Sequence, residues 1–474
     1  MGILTLLSDG DTFNPRRLFI GSTAGAIYDY DDYAYLYQKS DGSVPVTALE
    51  QPVGLVLDKR WGGARGSELK NTGTTGLVGT ATAATYNTTT GAGSVTRVDS
   101  NNQSYVLFSD LTVGGWYAVN VTCTSGVIAV RAGTYSSTEA VTLAAGSART
   151  FFRRADAGGY ISITNTPSAG SATFTISSIR ELHGLHAYQS TDAARPVLSA
   201  RYNLLLATAT LSTQSVTTLA ASYTLTFTGT GTVTLSGTAT GVKSAGTNVF
   251  TATAGTLTLT VSGSVTLADL RLTADANPRL PAYQRVTTAT DYDSAGFPRF
   301  LRIDATDDFL QTASVDPGTD KVFVCVGVTK VSDVATASVI ESGTDVGSVA
   351  GTFQMRAPSG TGLATFSFNS RGTATAFSVT AANYSSPNTA VVGGIGDVSG
   401  DSAIVRSNGV QVTVTTDQGT GNYTAQPIYI GARAGTSLRL NNGRIYPLVI
   451  CFKSVTAGEI AATEAWVNAR TRAY

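Results

Sequence analysis

Charged residues make up only 14% of this 474-residue chain, where about 25% is ordinary. Histidine (2), cysteine (3) and methionine (2) are nearly missing. Each shortage removes a class of function. With 32 basic against 32 acidic residues the formal net charge is zero, so binding to nucleic acid or to an anionic membrane surface is not expected. Two histidines and three cysteines leave little for a zinc cluster or a disulfide framework. No run of about 18 apolar residues occurs, so membrane insertion is not expected either. The opening MGILTLLSDGDTF has only the short apolar run ILTLL with no basic residue before it, which does not match a secretory signal.

What fills the space is Gly (50 residues), Thr, Ser and Ala. Most of the chain alternates β-branched or aromatic residues with Ser and Thr, broken by Gly, Asn and Asp, which is the two-residue period of strands. In SYTLTFTGTGTVTLSGTATG (222–241), Tyr223, Leu225 and Phe227 point one way and the threonines the other. A turn is expected at GTGT, with Val233 and Leu235 resuming the pattern. Thr suits a solvated strand face, because its β-branch fits the pleat and its hydroxyl stays wet. The fold class expected is all-β: tandem β-sandwich (jelly-roll) domains joined by extended Pro-containing connectors, with one C-terminal α-helix.

Three Pro-containing segments look alike: VPVTALEQPVGLVLDKRWG (44–62), HAYQSTDAARPVLSARYN (186–203) and LPAYQRVTTATDYDSAGFPRFLRIDATDD (280–308). Each precedes a strand-rich block, and Pro resists joining a sheet interior. They divide the chain into an N-terminal segment (1–62), a first sandwich (63–185), a connector (186–202), a small sandwich (203–275), a connector (276–296) and a larger terminal domain (297–474). Within the last, KVFVCVGVTKV (321–331) reads as a strand covered on both sides. Asn408-Gly409 marks a type I′ hairpin. SVTAGEIAATEAWVNARTRAY (454–474) changes to helical spacing behind a Thr456/Glu459 capping box.

Few residues suggest chemistry. His183 and His186 lie in a connector and are expected to be exposed, without reliable convergence on a metal. Asp304, Asp307 and Asp308 could hold calcium through hard oxygen ligands, but their spacing fits a turn whose carboxylates accept backbone N–H groups better. Cys123, Cys325 and Cys451 sit in apolar strand contexts and read as small buried hydrophobes. GGIGDVSGD (393–401) lacks the Lys-Ser/Thr of a phosphate loop and opens no helix, so a β-turn is expected. No catalytic residue and no cofactor is expected. AIYDYDDYAYLYQKSDG (26–42) concentrates tyrosines, among them Tyr28, Tyr30, Tyr33, Tyr35 and Tyr37, which suits a protein interface. Too short for its own core, this piece is expected to pack on a partner or sister subunit; the alternative is a cap over the first sandwich.

The N-terminal run resembles a module of tailed-bacteriophage structural proteins. PVTALEQPVGLVLDK matches closely, while Ile27-Tyr28-Asp29-Tyr30-Asp31-Asp32 stands where that module usually has a Trp-Tyr-Asp-Pro-Ser-Asp string. YQSTDAARPVLSARYNLL (188–205) is similar to the connector of the same proteins. FPRFLRIDATDDFL, RSNGVQV and GRIYPLVICFKSVTAGEIAATEAWVN resemble a concanavalin A-like, laminin G-type jelly roll, and the two middle blocks resemble small carbohydrate-binding modules. The resemblance implies a virion protein of tail-fibre, tail-tip or head-fibre type, on the particle exterior and non-enzymatic. Its N-terminal segment would dock on other virion proteins, and by family analogy it would be a homo-oligomer, a trimer. Its lectin-like domains would attach to bacterial surface polysaccharide, for which the loop residues Asn383, Tyr384, Asn422, Tyr423 and Arg433 are the candidates. The alternatives are a non-binding head-fibre, capsid-decoration or tail-connector protein and, last, a glycan depolymerase.

Overall fold

In a computed structural model, residues 13–474 are described apart from 22, 62–64, 81–82, 100, 137–139, 156–157 and 167–168. The alternation seen in the sequence produces strands almost throughout, and the one α-helix among the described residues is Ala457–Ala469, here α1. The all-β, multi-sandwich fold class is therefore observed. The three largest apolar cores lie one in the main sandwich and one in each of two further β-sheet units.

The main sandwich is two nine-stranded sheets. In the first, Lys321–Lys330 lies between Asn388–Asp397 and Arg444–Cys451. Its even-numbered valines, Val322, Val324, Val326 and Val328, enter the central core. Phe323 and Cys325 face outward, beneath α1 and its Val467. A strand covered on both sides is what its unbroken apolar run predicted. The second sheet supplies Phe353, Met355, Phe368, Ile428 and Ile430 to the same core. Asn408 and Gly409 both have positive φ (48° and 81°), the expected I′ geometry. Helix α1 begins with the expected box: Thr456 Oγ1 accepts from Glu459 N–H, and the Glu459 carboxylate accepts from Thr456 N–H.

The division into a docking segment, connectors and a terminal domain needs correction. Gly25–Tyr28 pairs with Arg444–Cys451 as a strand of the first sheet. Gly25 is required there, because its φ is +136° and a Cβ would come within 2.1 Å of the Ile450 carbonyl oxygen. Gln51–Pro52 continues the first sheet, and Leu55–Val56 joins the second. The second connector does the reverse, with Ala187–Tyr188 in the second sheet and Val197–Ser199 in the first. These segments look alike because each crosses from one sheet of the same sandwich to the other. Pro52 is tolerated because its strand is the outermost of the first sheet. The chain thus builds one sandwich in instalments and emits two insertions from it.

The first insertion, Arg65 to Leu182, is an eleven-stranded sheet around Phe108, Val119, Ile163 and Phe174. The second, within 203–275, is a five-stranded sheet around Tyr223, Phe227, Leu257 and Leu270, into which the main sandwich pushes Val331. The GTGT motif is no turn. Ala221–Gly237 runs through as one strand with a bulge between Phe227 and Thr232, where a Cβ on Gly229 would meet the Ser264 carbonyl oxygen at 2.2 Å. The third connector, 276–296, contributes no strand to these sheets. Its Gln284 ties the junction instead, accepting from Tyr202 and Asn203 N–H and donating to the Ala200 and Asp293 carbonyls.

The tyrosine run is also reassigned. Tyr28 and Tyr30 are fully buried in the main core, and Tyr28 Oη donates to the Leu185 carbonyl at 2.6 Å. Tyr33 lies under Arg299, Tyr35 under Lys59, and Tyr37 meets Phe152 of the first insertion edge-on at 4.9 Å. Their partners lie within this chain. Burial pushes both buried phenols far above their usual range, and neither Tyr28 nor Tyr30 has surface to offer another molecule.

Candidate functional site

Strand alternation that sends Phe353 and Met355 inward sends Gln354 outward, and the same holds for Asn369 beside Phe368, Phe377 beside Ala376, and Tyr429 between Ile428 and Ile430. Register then aligns them. Tyr188 lies opposite Gln311, Gln311 opposite Tyr429, and Tyr429 opposite Glu341. Glu341 lies opposite Gln354, Gln354 opposite Asn369, and Asn369 opposite Phe377. Seven adjacent strands therefore present one row across the outer face of the second sheet, about 29 Å long at ~4.8 Å per strand.

The middle of the row is a polar floor. Arg433 reaches over from the loop after Ile428–Ile430, with Nε 2.9 Å from Glu341 Oε2, Nη2 3.1 Å from Gln354 Oε1 and Nη1 3.0 Å from Asp345 Oδ1. Gln354 Nε2 donates to Glu341 Oε2 at 2.7 Å, and its Oε1 also accepts from Arg356 Nε at 2.5 Å. Glu341 is fully buried; burial raises its carboxyl pKa and the Arg433 guanidinium opposes that rise. The floor is not wholly satisfied. Asn369 Oδ1 and the Ser367 hydroxyl are buried without a partner among the described residues, on a face where Tyr429 and Phe377 are partly or well exposed. Amide, hydroxyl, guanidinium and aromatic groups in one line can bind a neutral polyhydroxylated chain through hydrogen bonds and C–H surfaces.

Of the five loop residues expected to bind glycan, Arg433 belongs to this face. Tyr423 does not: it is buried in the core against Phe353 and Phe452, its hydroxyl 2.6 Å from Ser370 Oγ. A tyrosine in a long loop looks free in the sequence, but this one closes the sandwich. Asn422 and Asn383 are exposed. Tyr384 is partly buried against Phe366 at 5.2 Å. The five fall in three separate loops and do not form one site. Glu341, Gln354, Asn369, Tyr429 and Tyr188 were missed, although the triplets FQM, FNS and IYI already place a polar or amphipathic residue between two inward ones.

Asp304, Asp307 and Asp308 hold carboxylate oxygens within 4.8 Å of one another. Asp304 Oδ1 accepts from the N–H groups of Thr306, Asp307 and Asp308, and Asp308 Oδ2 accepts from Asp304 N–H. This is the turn that the spacing suggested. Burial pushes Asp308 up to about 7, while at Asp304 the backbone donors outweigh burial and lower the pKa. The three cysteines are buried and unpaired. Burial raises all three thiols, Cys451 to about 12. His186, expected to be exposed, is buried: its Nδ1 accepts from Asp58 N–H at 2.9 Å, and burial lowers its pKa to about 4. It fastens the return from the first insertion to the N-terminal segment.

No family model matches the chain, and no curated relative matches it. Solved structures with some likeness include the CBM40 domain of a Ruminococcus gnavus sialidase bound to alpha2,3-sialyllactose (14% identity, TM-score 0.26, 32% of this chain and 97% of that one). Others are a SAP-like pentraxin from Limulus polyphemus (11%, 0.26, 34% and 75%) and the binding domain of botulinum neurotoxin serotype D (10%, 0.27, 36% and 42%). At these identities and scores they bear on neither ligand nor role.

Proposed function

We propose that this chain is an exterior virion protein of a tailed bacteriophage, of tail-fibre or related type, that attaches without catalysis to host-surface polysaccharide. The observation carrying the reading is the row from Tyr188 to Phe377. Tyr188, Gln311, Tyr429 and Phe377 stay partly or well exposed along one line of this sheet face, with Glu341 and Gln354 buried beneath Arg433 between them, and such a line suits an extended polymer. The phage context rests on the N-terminal and connector motifs, and the sandwiches would work on the particle as a homotrimer. Glu341 and Asp345, the carboxylates of the floor, are both held by Arg433, which favours binding over glycoside hydrolysis. The same closure supports a second reading, a decoration or connector protein whose polar face merely keeps it dispersed.

Labelled full-length protein should bind host cells saturably, and free extracted polysaccharide should compete. A correctly folded oligomer that binds neither cells nor polysaccharide contradicts the attachment reading and leaves the decoration reading. Particles assembled with a chain lacking 338–430 are not a clean test, because those residues are part of the sandwich that the N-terminal segment completes. Point variants on the row are needed instead.

A further inference from the structure

Where the first insertion meets the main sandwich there is a cavity of about 370 Å³, a size typical of ligand clefts. Two cross-strand pairs line it. Trp116 lies opposite Arg154 on the insertion side, and Tyr188 opposite Gln311 on the main side; residues directly opposed in a ladder leave the sheet on the same face. Phe152 and Ser40 complete much of the wall. The seam around it is fixed by Leu55, Leu57, Trp116, Phe152 and Leu182, which form one apolar cluster.

Two groups in this wall lack the partner their chemistry calls for. Trp116 is buried, and its Nε1–H has no acceptor among the described residues; a buried donor is costly until something accepts from it. Arg154 is the one charged residue among those lining the cavity, and no carboxylate pairs with it among the described residues. Its guanidinium lies over the Tyr188 ring at 5.3 Å and donates to the Tyr188 hydroxyl. Trp116 meets Tyr188 edge-on at 5.5 Å, so the aromatic wall is held from both domains.

We infer that this cavity is a subsite for one carboxylated sugar ring of the polysaccharide. The carboxylate would lie on Arg154 in a charge-assisted contact, the ring's C–H face would meet Tyr188, and a ring or hydroxyl oxygen would accept from Trp116 Nε1. The inference rests on the polysaccharide reading and adds the sugar class. Tyr188 and Gln311 are also the first two members of the row, so the acidic sugar would lie at one end of that line.

The probes are sodium glucuronate and glucose, titrated into the full-length chain labelled with 15N at its indoles. The chain has three tryptophans, and Trp116→Phe assigns the resonance. Glucuronate should shift the Trp116 indole signal and bind at least tenfold more tightly than glucose. Arg154→Gln should erase that preference while leaving the remaining spectrum folded. Tyr188→Phe, which keeps the ring, should retain most of the affinity. Equal affinity for the two sugars, or a preference that survives Arg154→Gln, overturns the subsite. If the chain binds host polysaccharide but glucuronate leaves Trp116 unmoved, the subsite alone fails. If glucuronate moves Trp116 but no host polysaccharide binds, the subsite stands and the attachment reading fails.

Discussion

The two outer faces of the main sandwich are made by the same kind of strand and have opposite fates. On the first sheet, Phe323, Cys325, Val391, Val449 and Cys451 face outward and are buried beneath α1. On the second sheet the equivalent outward positions are Tyr429, Glu341, Gln354, Asn369 and Phe377, and no helix covers them among the described residues. Both inner faces are predominantly apolar. The outer faces therefore carry the distinguishing information: the apolar one is sealed by a helix, while the polar one is closed only at its middle, where Arg433 covers Glu341 and Gln354, and leaves Tyr429 and Phe377 to solvent or a ligand.

The largest effect expected is on the covered face. Val467→Asp places an unpaired carboxylate where α1 is fully buried, and should cost at least roughly 3 kcal/mol. Urea unfolding should show the loss; a cost under about 1 kcal/mol would mean that α1 does not seal this face. On the open face, Arg433→Ala strands buried Glu341 and should cost roughly 2–4 kcal/mol near neutral pH. The pH sign follows from Glu341, whose folded pKa is already raised. Without Arg433 it rises further, so the native state holds a proton that the unfolded state has released, and stability falls as pH rises through the folded pKa. The penalty should shrink on acidification toward the unfolded carboxyl pKa, and a pH-independent penalty would show that Glu341 is not the stranded group.

Thr456→Ala removes the hydroxyl that caps α1 and should cost about 1 kcal/mol, read as a small drop in melting temperature with the fold intact. Smallest in stability, under about 0.5 kcal/mol, is Tyr429→Ala on the open face. It should nevertheless weaken polysaccharide binding about tenfold, the worth of one lost aromatic contact of ~1.4 kcal/mol. Unchanged affinity would remove Tyr429 from the site.

Contiguous features could be read directly from the sequence. The capping box of α1, the Asn408-Gly409 hairpin and the doubly covered strand 321–330 each depend on neighbours within a few residues, and each was found. Blocks 63–185 and 203–275 read in the sequence as successive sandwiches, whereas each leaves and re-enters one main sandwich. Long-range pairing could not be read. Tyr28 is buried because Gly25–Tyr28 pairs with Leu448–Cys451 at the far end of the chain, and no local pattern distinguishes that from an interface tyrosine. Pro52 suggested a free connector because the rule against Pro in sheets does not apply to an edge strand, and Pro196 did so although it stands just ahead of Val197–Ser199, outside the ladder. The row on the second sheet was missed because its strands run only three to five residues near the site. Such strands are too short for alternation to stand out, and the row itself exists only across strands.

Hydrogen exchange of the full chain with and without saturating host polysaccharide tests the central claim most directly. The account predicts added protection in Ser338–Ser342, Thr352–Arg356 and Ile428–Ile430, and none beneath α1 in Lys321–Lys330. Protection confined to the insertions or to the loops at 380–387 and 415–427, with polysaccharide demonstrably bound, would contradict it.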